Sequence, residues 1–169
     1  MGIYIRFAMW AFMMLGGLAA GILIDLKNFR FLFLNIYFHI FTLVPGLVLL
    51  RMVMLVSRKT GRMLARYGRE GEVKRMETNR LVTSGVYSCM RHPMHFGLLF
   101  FPLSLALIAG SPSFIVIIAP VEMILMVVMI KLLEEREAIE KFGEDYIRYM
   151  KEVPMFNLRP ECLKRLFEG

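Results

Sequence analysis

The chain has 169 residues and 57% of them are hydrophobic; counted with its 13 Gly in place of its 6 Tyr the apolar share is about 62%, against roughly 45–50% in soluble globular domains. A single compact unit of that composition would expose a large apolar surface to water, so a bilayer is the expected solvent. A charged fraction of 21%, two cysteines and no Gly period exclude disorder, a disulfide scaffold and a collagen-like repeat, while 21 Lys plus Arg against 14 Asp plus Glu (net +7) point to nucleic acid or an anionic membrane face.

Uncharged runs decide the class. There are 18 such residues between Arg6 and Asp25, 20 between Arg30 and Arg51, and 30 between Arg91 and Glu122. The last run contains the breaker sequence Gly110-Ser111-Pro112-Ser113, which divides the stretch 94–133 into two spans joined by a tight turn. The pattern predicts an all-α polytopic membrane protein with four transmembrane helices near 7–24, 31–50, 94–110 and 114–133. The third is short, and a re-entrant segment is its alternative. In chain order these give two transmembrane helices over 1–56, a basic loop over 57–93, a transmembrane hairpin over 94–133 and a tail over 134–169, together one integrated domain.

Lys and Arg then orient the bundle. Four spans place 19 of them on one side and only Lys27 and Arg30 on the other, so both termini and the 57–93 loop are expected in the cytoplasm. The positive charge is therefore topological, and no nucleic-acid partner is expected. Segment 57–80 carries Arg58, Lys59, Arg62, Arg66, Arg69, Lys74, Arg75 and Arg80; it reads either as a cradle for anionic headgroups or as a solvated juxtamembrane loop. The first apolar run is longer than a signal-peptide core and is read as a helix, its small residues Gly16, Gly17 and Gly21 allowing close packing. Gly2 lacks the downstream Ser or Thr that favours myristoylation. Cys89 and Cys162 both fall on the reducing side and imply no disulfide.

The tail runs 36 residues from Glu134. In it Ile139, Phe142, Tyr146 and Tyr149 recur at helical spacing, with Gly143 expected to bend or interrupt an amphipathic helix continuing from the fourth span. The loop entering the third span reads from Gly85 through Tyr87, Arg91, His92, Pro93 and His95 to Gly97, with Pro93 suited to a first helical turn and Gly97 to close backbone approach. His92 and His95 have no third His or clustered Cys beside them, so no metal is expected. Taken alone, this cluster reads equally as an interfacial helix start.

The order Gly85-x-Tyr87, Arg91-His92-Pro93-x-x-x-Gly97, one membrane hairpin, Glu134-Glu135, Phe142-Gly143-x-x-Tyr146-x-x-Tyr149 and Val153-Pro154 resembles the isoprenylcysteine carboxyl methyltransferase and phospholipid methyltransferase superfamily of integral-membrane enzymes. The resemblance covers residues 81 to about 158. It implies S-adenosylmethionine as cofactor, enclosed by His92 and its neighbours with Glu134 and Glu135, and a lipophilic acceptor arriving from the bilayer. Two departures stand out: His95 where the family usually has Tyr, and Met155 where an Arg commonly follows the Val-Pro.

The residues fit that chemistry. A sulfonium, an ammonium, a carboxylate and an adenine call for carboxylates, a cation and aromatic faces in one place. Glu134, Glu135, Arg91, Tyr87, Tyr146 and Tyr149 provide them, with His92 and Gly97 beside the cofactor. Arg91, His95 and Glu135 are the expected catalytic groups: Arg91 steers an acceptor carboxylate, such as a prenylcysteine, or His92, His95 or Glu135 takes the proton from a phospholipid amine. At a polar boundary, Glu135 and His92 are expected to be replaceable without loss of folding. The rival class is a small four-helix transporter using Glu122 in mid-membrane. His39 and Glu122 each lie eight residues into a span, about 12 Å deep, so a shared polar partnership with Asn35 nearby is expected; separate partners are the alternative.

Overall fold

A computed structural model gives the structure of the protein and describes residues 3–73 and 77–168. Gly2, with its expected lack of modification, and Lys74 and Arg75 of the basic segment lie outside the described residues, as do Met1, Met76 and Gly169. Among the described residues the fold is all helical. The elements are α1 (Ile3–Asn28), a short α2 (Arg30–Phe33), α3 (Ile36–Tyr67), α4 (Pro93–Leu99), α5 (Phe101–Ala109), α6 (Ala119–Met129), α7 (Glu135–Phe142), α8 (Glu144–Glu152) and α9 (Pro160–Glu168). A 3-10 turn covers Gly85–Ser88, and π-helical turns cover Phe114–Ile118 and Ile130–Glu134.

Three continuous helices are long and apolar enough to cross a membrane: Ile5–Asn28, Ile36–Tyr67 and Phe114–Phe142; Pro93–Ala109 is a shorter apolar one. The first and fourth expected spans are helical and outrun their apolar cores; the second is broken at Leu34 and Asn35, so that its long helix begins at Ile36, and the third is confined to the shorter Pro93–Ala109. Helix α3 continues to Tyr67 because Arg58, Lys59, Arg62 and Arg66 keep good helix propensity after hydrophobicity ends. The first part of the expected 57–93 loop is therefore helix.

The chain forms two compact units. The first comprises residues 1–51 and 100–127. Within it the last turn of α1 meets the turn after α5 through Asp25, which is fully buried: its carboxylate accepts hydrogen bonds from the Ser111 hydroxyl and, at 2.9 Å, from the Ser113 amide. Gly110 closes α5 at φ 61°, as the breaker sequence requires. Of the small residues expected to allow close packing of α1, Gly17 and Gly21 do so, a Cβ meeting Ile118 Cγ2 at 3.0 Å and Ser111 Oγ at 3.0 Å, whereas Gly16 has nothing within 4 Å; on α3 a Cβ at Gly46 would stand 2.8 Å from the Ile108 nitrogen.

The expected pairing of His39 with Glu122 does not form. His39 Nε2 lies 2.5 Å from the Phe33 carbonyl and its ring fills the space beside Gly110, whereas Glu122 is buried against α1 at Gly17. Equal depth says nothing of azimuth, and here the two residues face different neighbours. Asn35 is not part of a polar cluster either. Its side-chain oxygen caps α3, accepting from the amides of Tyr37 (2.9 Å) and Phe38 (3.3 Å).

The second unit comprises residues 52–99 and 128–169. Its core joins Val56, Val82, Val86, Tyr87, Met90, Cys162 and Leu166, so α9 folds back onto α3 and the 3-10 turn. Contrary to the sequence reading, Cys89 and Cys162 are joined in a disulfide, with Cα atoms 5.7 Å apart across a separation of 73 residues. Compartment arguments concern whether thiols stay reduced; they carry no information on whether a fold brings two of them together.

Candidate functional site

The site lies wholly in the second unit. Pro93 opens α4, as its fixed φ favours, and leaves Arg91 and His92 on the non-helical segment just before it. That segment is held by the tail backbone: the Arg91 amide donates to the Pro154 carbonyl at 3.0 Å and the His92 amide to the Met155 carbonyl at 3.2 Å. A main-chain carbonyl serves equally from any residue, so this contact is indifferent to Met155 standing in place of Arg. The Asn157 side chain adds a bond to the Cys89 carbonyl at 3.2 Å.

Arg91 locks the pieces together. Its Nε and Nη2 donate to Glu135 Oε1 at 3.1 and 2.5 Å, while Nη1 donates to the carbonyls of Met150, at 3.2 Å, and Val153. Both side chains are largely buried, 9% and 6% exposed, which places this pair among interactions that water screens little. The π-helical turn Ile130–Glu134 immediately precedes Glu135, and such turns are frequent at functional sites. Gly143, at φ 56° and ψ −134°, ends α7 and starts α8 in a conformation that only glycine adopts readily. The break expected there is present, and after it Tyr146 and Tyr149 are buried.

The aromatic groups and His92 form a connected set. Tyr149 donates its hydroxyl to the Tyr87 carbonyl at 2.5 Å, the Tyr146 hydroxyl lies 3.4 Å from His92 Nε2, and the His92 and His95 rings meet edge-on with centroids 5.6 Å apart. Burial, then the nearby His95, then Arg91 pull the His92 pKa from 6.5 down to about 3. Glu135 Oε1 is only 3.4 Å from His92 Nε2 and would by itself favour the imidazolium. Arg91 already compensates that carboxylate, so burial prevails and His92 is neutral near pH 7. Burial, followed by the charge of Glu135, pushes the Tyr146 phenol up to about 12. Tyr87 and Tyr149 are raised as well, again chiefly by burial.

The His92 shift has a pH consequence. Between pH 6.5 and about 3 the unfolded chain binds a proton at this position that the folded chain does not. Stability is therefore complete above pH 6.5 and falls as the pH drops through that window. His92→Gln should flatten this part of the stability–pH curve measured by thermal unfolding in micelles; an unaltered slope would reject a buried neutral His92.

One cavity of about 240 Å³ gathers most of the expected site residues: Tyr87, Arg91, His92, His95, Glu134, Tyr146 and Tyr149 all line it. Two do not. Glu135 sits behind the lining, tied to Arg91 and beside His92. Gly97 packs α4 against α3, where a Cβ would stand 2.7 Å from Val56 Cγ1. The lining also takes in Arg80 and Phe142, together with Thr78, Leu81 and Val82. Arg80 is the informative omission, since within a run of basic residues its charge gave no reason to single it out.

These features define a helical membrane protein with a mixed-charge, aromatic-walled cavity in its second unit. The family model for phospholipid methyltransferase matches residues 39–145, more than half of the chain. The chain belongs to the phospholipid methyltransferase family, within the integral-membrane methyltransferases. No curated protein and no solved structure matches it. The matched range holds Arg91, His92, His95, Glu134 and Glu135, while Tyr146 and Tyr149 fall just beyond it.

Proposed function

We propose that the protein transfers a methyl group from S-adenosylmethionine to the amine of a phospholipid-like acceptor, with the cavity facing the cytoplasm. The observation that carries this reading is the convergence on one cavity of a carboxylate (Glu134), a cation (Arg80) and the rings of Tyr87, Phe142, Tyr146 and Tyr149, with Arg91 held in the wall by Glu135. That donor set matches a ligand with an ammonium, a carboxylate, a sulfonium and an adenine. Bound there, S-adenosylmethionine supplies an electrophilic methyl group for in-line displacement, a reaction that gains much of its acceleration from alignment.

The residues favour the amine over the carboxylate acceptor. The Arg91 fork is directed at Glu135, Met150 and Val153, so steering an acceptor carboxylate would require breaking a buried pair. An amine arrives protonated and needs a base. His92 is a weak one with its pKa near 3, and Glu135 is engaged by Arg91. His95, on the cavity wall, takes the proton in this scheme and stands where the family usually has Tyr.

Purified protein supplied with methyl-labelled S-adenosylmethionine and a panel of lipids should label phosphatidylethanolamine and leave a prenylcysteine unlabelled. Label in the prenylcysteine alone would reverse the acceptor assignment, and absence of both label and calorimetric cofactor binding would remove the enzyme reading altogether.

The cytoplasmic orientation is tested by Cys89 and Cys162. A reducing compartment keeps such pairs as thiols even where the fold brings them together. Intact cells quenched with a membrane-permeant alkylating agent should therefore yield both cysteines alkylated. A pair that stays bridged in quenched cells would place this unit on the oxidising side.

A further inference from the structure

A second cavity, of about 350 Å³, lies in the same unit and shares no lining residue with the first. Its walls are Lys59, Thr60, Arg62, Met63, Arg66 and Tyr67 of α3, Val86 of the 3-10 turn, and Arg165 and Leu166 of α9. Four of these are cations, and no carboxylate of the described residues lines the cavity.

The arrangement follows from the helix period. Lys59, Arg62 and Arg66 stand at i, i+3 and i+7 on one face of α3, and packing Leu166 into the core adds Arg165 from α9. Lys59 donates to the Phe167 carbonyl, Arg165 donates to the Ser88 hydroxyl at 3.2 Å, and the Arg66 guanidinium lies 5.3 Å from the Tyr67 ring centroid. None of these partners is an anion. Like charges held together repel one another, and a helix face gains nothing from them unless an anion compensates. Arginine forks suit a phosphoryl group in particular, because each can give two parallel N–H bonds to its oxygens.

We propose that this cavity is a phosphate-binding site, distinct from the methyl-transfer site. Its position suits a lipid phosphate. Lys59 lies three residues, or about 4.5 Å along the helix, beyond Val56, the last residue of the apolar run that follows Arg51. Long exposed arginines can reach back over that distance toward headgroups. A soluble phosphate has the same recognition chemistry.

Full-length protein in neutral micelles would be titrated with inorganic phosphate. It would also be reconstituted into bilayers of phosphatidylcholine alone or with phosphatidylglycerol, and the co-purifying lipid measured. Retention of phosphatidylglycerol over phosphatidylcholine assigns the site to headgroups; saturable binding of phosphate without lipid preference assigns it to a soluble ligand. In either case Arg62→Gln with Arg66→Gln should weaken binding by about tenfold or more, the expected result of losing charge-assisted bonds. Arg148→Gln, on the exposed face of α8, should leave it unchanged. The proposal is overturned if neither phosphate nor anionic lipid is bound preferentially, or if the double variant binds as the unaltered protein does.

Discussion

Glu135→Ala is expected to cost about 3 kcal/mol or more of stability, the usual consequence of stripping one partner from a buried ion pair, and to abolish the proposed methyl transfer. A carboxylate at a polar membrane boundary would be replaceable without harm to folding. Glu135 is not at such a boundary, being 5% exposed and aimed at the Arg91 guanidinium. Its removal leaves that cation buried without a counter-charge and loosens the grip of Arg91 on the Met150 and Val153 carbonyls. The segment carrying His92 and the helix carrying Tyr146 and Tyr149 would then lose their common anchor. Glu135→Gln keeps an acceptor oxygen and should cost less. A double variant, Arg91→Met with Glu135→Leu, removes both charges and should recover part of the stability but none of the activity. Thermal unfolding in micelles and labelled methyl transfer together check this. Full turnover in Glu135→Gln with an unaltered unfolding temperature would show that the pair neither positions the site nor supports the fold.

What could be read from the sequence, and what could not, divides along physical lines. Charge-free run length reports spans directly, because hydrocarbon excludes ionised groups; the turn at Gly110 is equally legible because few residues adopt φ 61°. The cavity lining was legible as a set through the family resemblance, which joins Arg91, His92 and Tyr146; by type and spacing alone Arg91 and His92 read equally as an interfacial helix start. Which member faces the cavity and which stands behind it was not. Glu134 and Glu135 are adjacent in sequence, yet only the first lines the cavity. A helix turns by about 100° per residue, and the π-helical turn just before Glu135 alters the register in a way composition does not reveal. Helix ends differ from the apolar limits for a related reason. Hydropathy measures where a helix leaves lipid, whereas α3 continues to Tyr67 on backbone propensity. His39 and Glu122 make the same point: run length gives depth, and only packing gives azimuth.

Asp25 was legible only as the charge that closes the first apolar run, yet its replacement should have the second large effect. It is fully buried, and its carboxylate bridges 86 residues of sequence to the Ser111 hydroxyl and 88 to the Ser113 amide. The Ser111 hydroxyl in turn lies 3.2 Å from the Phe114 amide and accepts from it, so Asp25 orients a second cap at the start of the following helix. These amides are unpaired donors of a first helical turn. In Asp25→Ala the Ser113 amide, on a residue only 1% exposed, would lose its partner where water has little access. Loss of a cap together with an unsatisfied buried donor amounts to about 2–3 kcal/mol. Asp25→Asn retains one acceptor, and the Ser111 hydroxyl can rotate to accept from the new amide, so a loss about half as large is expected for it. Ser111→Ala, which leaves the Ser113 bond intact, should also be milder than Asp25→Ala. Thermal unfolding in micelles orders the three variants. If Asp25→Ala unfolds at the temperature of the unaltered protein, the junction of α1 with the turn after α5 does not depend on this carboxylate.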